Sequence, residues 1–155
     1  MGRTAWSVAL GLAVAGIVGS AVAQDIITTR QEEMKGLGQR MGTFKAVLVD
    51  KSGGSLADVA VGASYLAEKA PLIATWFPAG TGEGKTDAMP AIWEKPAEFE
   101  ARAKAMAELA QALEAAAQSG DAAAATAAFA TLGREGCGGC HTTFRKPEEQ
   151  SYKKM

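Results

Sequence analysis

Four stretches of helix-period apolar residues, parted by three breaks rich in glycine or proline, restrict this chain of 155 residues to a bundle of helices. The first is expected over residues 26–50. Ile27, Met34, Leu37, Met41, Phe44 and Leu48 recur there at helical spacing and form one apolar stripe. The run Lys51-Ser52-Gly53-Gly54 breaks it. The second begins at Ser55, with Asp58 three residues on as a loose capping box. Val59, Ala63, Leu66, Ala70 and Ile73 make its buried side, and Pro71 ends or kinks it at about Ala70. Residues 76–95 then read as an ordered crossing loop. It carries Pro78, Gly80, Gly82, Gly84 and Pro90, with Trp76, Phe77 and Trp93 as aromatic anchors. Loops of this length are uncommon and often functional. The third helix is expected over 96–119, with Pro96 in its first turn and Gly120 closing it. Phe99, Met106, Leu109 and Leu113 form its stripe. The fourth takes Asp121 as N-cap, carries Phe129, Leu132 and Phe144, and frays after Pro147.

Two of the three links are short, and no hairpin signal or Val/Ile/Thr alternation competes. The expected fold is therefore all-α, an antiparallel up-down four-helix bundle. Its alanine-rich faces let helices approach closely and leave room for something large and apolar in the middle. Gly36, Gly38 and Gly42 would let another helix or a bound group come close to the first helix.

The amino-terminal residues carry a different signal. Arg3 is a positive start, residues 5–18 are almost wholly apolar, and Ala21-Val22-Ala23 is a small-x-small cleavage site before Gln24. This is the pattern of a secretory signal peptide over 1–23, followed by a domain over 24–155. The apolar run is short for a membrane span, which needs about 20 residues. The expected location is the periplasm, with no membrane association once the signal is cleaved. The whole chain holds 16 basic and 17 acidic residues. Losing Arg3 leaves 15 against 17, a net charge of −2. Such a balance argues against nucleic acid as a partner.

Two cysteines and one histidine occur, all in Cys137-Gly138-Gly139-Cys140-His141. On an α-helix Cys137 and His141 share a face, one above the other. Cys140 is offset by about 100° but stays on the same broad side. Two thiols can then add to the two vinyl groups of one haem, and the adjacent imidazole is placed to take the iron as proximal ligand. The motif is that of covalent c-type haem attachment, here behind an export signal. A thioredoxin-like pair would want a βαβ pattern, and a zinc site would need a fourth ligand. A plain disulfide in an exported bundle without cofactor stays open.

The chain resembles the cytochrome c′ family of class II c-type cytochromes, itself an example of the up-down bundle. The resemblance lies in Arg30-Gln31 with Met34, in Trp76-Phe77-Pro78-Ala79-Gly80, in Asp87-Ala88-Met89-Pro90-Ala91-Ile92-Trp93, and in Cys137-x-x-Cys-His141-x-x-Phe144-Arg145. It implies one covalently attached haem c per chain, held by Cys137 and Cys140, with His141 on the iron. It also implies that Arg145 is a basic residue on the proximal side and that Arg30 and Gln31 meet the haem propionates. Thr86 and Asp87 become loop residues beside the haem edge, and Met34 the distal side chain. The bottom-up reading agrees on Arg30, a charge on an apolar stripe that would be costly unless paired. Otherwise its side chain snorkels out to water.

What occupies the sixth side of the iron decides the function. The resemblance implies a five-coordinate, high-spin iron that binds small gases such as nitric oxide or carbon monoxide and is able to take part in electron transfer. The alternative is a low-spin electron carrier in which Met34 is the sixth ligand. A thioether can bind iron or simply pack against the ring. No acid/base pair, nucleophile or phosphate loop marks the chain as an enzyme. A homodimer through the first two helices and an unidentified redox partner complete the expectations.

Overall fold

The computed structural model describes residues 19–154. Most of the expected signal peptide, 1–23, lies outside these residues. Among the described residues, five of six α-helical segments build four rods. The first rod is α1 (Gly19–Leu48) and the second is α2 (Leu56–Lys69), continued as a 3-10 helix over Ala70–Trp76. A short α3 (Ala91–Glu94) sits inside the crossing loop, and α4 (Pro96–Gln118) is the third rod. The fourth rod is composite, with α5 (Ala122–Thr131), a π-helical stretch Leu132–Gly138, and α6 (Gly139–Phe144). The architecture is the expected four-helix bundle. Among the described residues no helix is long and apolar enough to cross a membrane.

Local chemistry accounts for most boundaries. Ser55 and Asp58 form a complete capping box. The Asp58 N–H donates to Ser55 Oγ (3.3 Å), and the Ser55 N–H returns a bond to Asp58 Oδ2 (2.7 Å). Asp121 accepts from the N–H groups of Ala123 and Ala124, so it is the N-cap expected. Pro71 cannot donate within a helix, and the α-helix tightens to 3-10 one residue before it.

The core forms where the stripes meet. Phe44, Val59, Ala63, Leu66, Leu113 and Leu132 are almost fully buried. α2 packs chiefly on α4, and α1 lies against α2. Gly62 is required there, because a Cβ would sit 2.5 Å from a ring carbon of Phe44.

Three expectations are corrected. α1 is already helical at Gly19, the first described residue, ahead of the expected residue 26, and stops at Leu48, where Lys51 and the positive-φ Gly53 and Gly54 turn the chain. Of the α1 glycines, Gly36 faces the Tyr65 hydroxyl at 3.7 Å, and Gly38 and Gly42 have no atom of this chain within 4 Å of an added Cβ. The fourth rod is not one α-helix. Gly133, Gly136 and Gly138 weaken it, and it widens to i→i+5 bonding just before the motif. It also ends at Phe144, earlier than expected. Arg145 leaves it in extended conformation because the backbone pairs with the crossing loop, Ala88 bridging Arg145 and the Met89 N–H donating to Phe144 C=O (3.0 Å).

Candidate functional site

One cavity of about 550 Å³ opens between α1, the crossing loop and the fourth rod. Its size falls in the range that holds cofactors and other small molecules. Every element that lines it was singled out by sequence, save the carboxy-terminal tail. α6 contributes Cys140, His141 and Phe144, α1 contributes Arg30, Gln31 and Met34, and the crossing segment contributes Phe77, Thr86, Asp87 and Ile92. Phe99 of α4 closes the apolar floor, and Arg145, Tyr152 and Lys153 complete the rim.

The floor is an aromatic seam. Phe99 meets Phe77 edge-on at 5.1 Å between centroids and Phe144 at 5.0 Å. Trp93 holds the loop from behind, its Nε1–H donating to the carbonyls of Phe77 (2.9 Å) and Pro78 (3.1 Å). These contacts anchor the long loop, as its aromatics suggested.

Arg30 does not snorkel out, for it is only 3% exposed. Its guanidinium donates to Thr81 Oγ1 (3.2 Å), the Thr81 carbonyl (2.9 Å) and Thr86 Oγ1 (2.6 Å), and it stacks over Phe77 at 4.6 Å. None of these partners is an anion, and burial pulls its pKa below the usual arginine value. The Gln31 side-chain amide donates to the Lys85 carbonyl (2.7 Å). Both residues thus fasten α1 to the crossing loop at the cavity edge. Thr86 and Asp87 do comparable work from the loop side. The Ala88 N–H donates to Thr86 Oγ1 (3.1 Å), and Asp87 pairs loosely with Arg145 (4.0 Å).

The motif residues are not all brought together alike. Cys140 and His141 line the cavity, whereas Cys137, at the end of the π-helical stretch, is half-buried beside it. The two thiols are not joined to each other. Burial raises the Cys137 pKa and pushes that of Cys140 up to about 11, against the opposing charge of Arg102. Both are therefore neutral thiols at pH 7. His141 is shifted the other way, downward, first by burial and then by the charge of Arg145. Its imidazole is neutral at pH 7 and has a lone pair to offer a metal.

These residues fit a haem. An apolar slot of suitable size has a neutral imidazole and a thiol on one wall and a thioether on another. Cationic and hydrogen-bonding groups gather at its rim, where the acid groups of a haem would emerge. What sequence reasoning missed is the tail, since Tyr152 and Lys153 follow a proline and carry no periodic signal.

Known proteins agree with this geometry. The family described as Cytochrome C' matches residues 25–145. Cytochrome c-556 of Agrobacterium tumefaciens (strain B2A) is 33% identical over 119 residues, covering 77% of this chain and 95% of that protein. Cytochrome c-554 of Cereibacter sphaeroides is 41% identical over 75 residues, and that match spans 46% of this chain and about half (55%) of the relative's length. Among solved structures, cytochrome c prime from Shewanella frigidimarina superposes with a TM-score of 0.73 at 30% identity, covering 81% of this chain and 97% of that one. A nitric oxide complex of a cytochrome c prime variant from Alcaligenes xylosoxidans superposes with a TM-score of 0.71 at 28% identity, with the same coverage.

Proposed function

The chain belongs to the cytochrome c′ family, and from that premise we propose that it is a periplasmic gas-binding haem carrier with His141 as the single protein ligand of the iron. Members of this family carry covalently bound haem c, and Cys137, Cys140 and His141 supply the attachment sequence here. Bound in the cavity, the haem iron supplies a site for a diatomic ligand and a one-electron couple. The remaining chemistry is that of the chain. Cys137 and Cys140 tether, and His141 presents a neutral imidazole. Phe77, Ile92, Phe99 and Phe144 exclude water. Arg30 and Gln31 hold α1 and the crossing loop together at the rim.

The observation that carries this reading is that His141 and Met34, more than a hundred positions apart in sequence, line one apolar cavity. Met34 is an unbranched, half-buried side chain on α1, suited to cover the open face of a haem and to yield to a small ligand. The nitric oxide complex of the Alcaligenes relative supports gas binding. The same placement of the Met34 thioether supports a second reading, in which its sulfur is the sixth ligand and the protein carries electrons.

Optical spectra of the haem-loaded protein decide between them. A broad reduced spectrum that changes under carbon monoxide is expected. Sharp bands unmoved by carbon monoxide that become broad in Met34→Leu would favour Met34 ligation instead. Two expectations about the whole protein accompany the proposal. Signal cleavage before Gln24 is read by sequencing the amino terminus of the exported protein. A homodimer through α1 and α2, whose Val61 is 74% exposed, is read by sedimentation.

A further inference from the structure

Beyond Arg145, where the family match stops, the chain turns back along the cavity. Its tail is tied to the crossing loop by four hydrogen bonds. The Lys146 N–H donates to the Asp87 carbonyl (2.8 Å), and Lys146 Nζ donates to the Thr86 carbonyl (3.2 Å). Five residues later, Ser151 Oγ donates to one carboxylate oxygen of Asp87 (3.0 Å) and the Tyr152 N–H to the other (3.0 Å). Ser151 is buried, and the Asp87 side chain is only 13% exposed. Asp87 thus holds a partner 64 or 65 positions away with each oxygen. The two residues that follow Ser151, Tyr152 and Lys153, line the cavity.

The charges at the rim single out one of them. Arg145 already has Asp87 at 4.0 Å, and Arg30, buried among the neutral groups of Thr81 and Thr86, answers to at most one of the two carboxylates of a haem. Lys35 also lines the cavity, from the exposed side of α1, with no side-chain partner among the described residues. Among the described residues Lys153 has no carboxylate partner. Its Nζ lies 5.9 Å from the Tyr152 ring, and the clamp on Ser151 and Tyr152 fixes the backbone that carries it. An exposed cation on a clamped backbone, at the mouth of a cavity that fits a dicarboxylate cofactor, has an evident counter-charge.

We propose that residues 146–154 form a wall of the haem pocket, fastened by Asp87, and that Lys153 faces a carboxylate of the haem there. The inference rests on the haem reading above. Lys153 is a positioning residue for the cofactor's acid group, and its charge disfavours the more positive ferric state. Removing that charge must lower the reduction potential.

The test uses the haem-loaded protein and two readouts. The first is the midpoint potential of wild type, Lys153→Gln, Lys153→Glu and Lys153→Arg at low and high salt. Lys153→Glu is expected to lower the ferrous-to-ferric ratio at fixed potential by roughly tenfold, a shift of about 59 mV for one electron. Lys153→Gln should give about half of that, Lys153→Arg should stay near wild type, and high salt should shrink the differences. The second readout is cleavage after Glu148 and Glu149 by a glutamate-specific protease. Asp87→Asn should speed it at least tenfold, because the clamp is what keeps the tail from the protease. If Lys153→Glu carries haem and moves the ratio less than twofold, or if Asp87→Asn leaves cleavage unchanged, the inference is overturned and the haem reading stands. If wild type carries no covalent haem, the underlying reading falls first.

Discussion

Replacing Arg30 by methionine removes a buried guanidinium while keeping an aliphatic stem against Phe77. Three hydrogen bonds disappear, at 3.2, 2.9 and 2.6 Å. Two of their acceptors keep other partners. Thr81 Oγ1 still donates to the Pro78 carbonyl (2.8 Å), and Thr86 Oγ1 still accepts from the Ala88 N–H (3.1 Å). The Thr81 carbonyl loses its donor within a buried residue, which costs about 1–3 kcal/mol. Losing the stack over Phe77 adds about 0.5–2 kcal/mol. In the opposite direction, a buried charge with no anion beside it carries a desolvation penalty of several kcal/mol, and the substitution relieves it. In the chain by itself these effects nearly cancel. Once a haem carboxylate serves as counter-ion, the balance changes, since removing one partner of a buried pair costs about 3–5 kcal/mol. Arg30→Met is therefore expected to lower the melting temperature of the haem-loaded protein by roughly 10–20 °C. Arg30→Lys should recover only part of that, because an ammonium lacks the planar fork. Helix circular dichroism and the haem absorption band, followed together on heating, read both. A loss below about 1 kcal/mol in the loaded protein would refute the reasoning and leave Arg30 as a fastener of the loop alone.

Two further outcomes are expected. Gly62→Ala places a Cβ 2.5 Å from the Phe44 ring. Overpacking of about 1–3 kcal/mol should outweigh the helix-propensity gain of about 1 kcal/mol, lowering the denaturant midpoint without changing the slope. The Asp58 carboxyl lies below its ordinary value of 3.8 because the Ser55 hydroxyl, and then the Ser55 backbone N–H, donate to it. A depressed acid stabilises the fold above its unfolded pKa and loses that stabilisation as pH falls through the lower folded value. Acid titration of stability should therefore be flatter below about pH 4 for Asp58→Asn than for wild type, and parallel curves would contradict the capping box.

The parts of this molecule that were legible in sequence are those decided within a few residues. The capping box at Ser55, the N-cap at Asp121, the tightening at Pro71 and the cofactor motif each depend on neighbours in the chain. The buried fate of Arg30 followed from its place on an apolar stripe, but not its partners Thr81 and Thr86, which lie more than 50 positions away. The π-helical stretch was hidden for another reason. Four glycines in eight residues signal weakness in a helix, but they do not say which way it yields. Gly136 packs against Met106 and Leu109 of α4, so the winding answers to a neighbouring rod. The tail was the least legible, because Asp87 and Ser151 are an ordinary loop acid and an ordinary serine until the fold brings them together.

The aromatic seam makes the crossing loop and the carboxy-terminal end of the fourth rod mechanically one piece. Phe77 and Phe144 both meet Phe99 edge-on, while Met89 and Lys146 stitch the backbones on either side of the bridge. Neither segment can swing outward without prying the other from α4. The remaining wall, α1, is joined to that piece at the cavity edge through Arg30 and Gln31. A load placed on any one wall of the cavity is therefore shared by the other two.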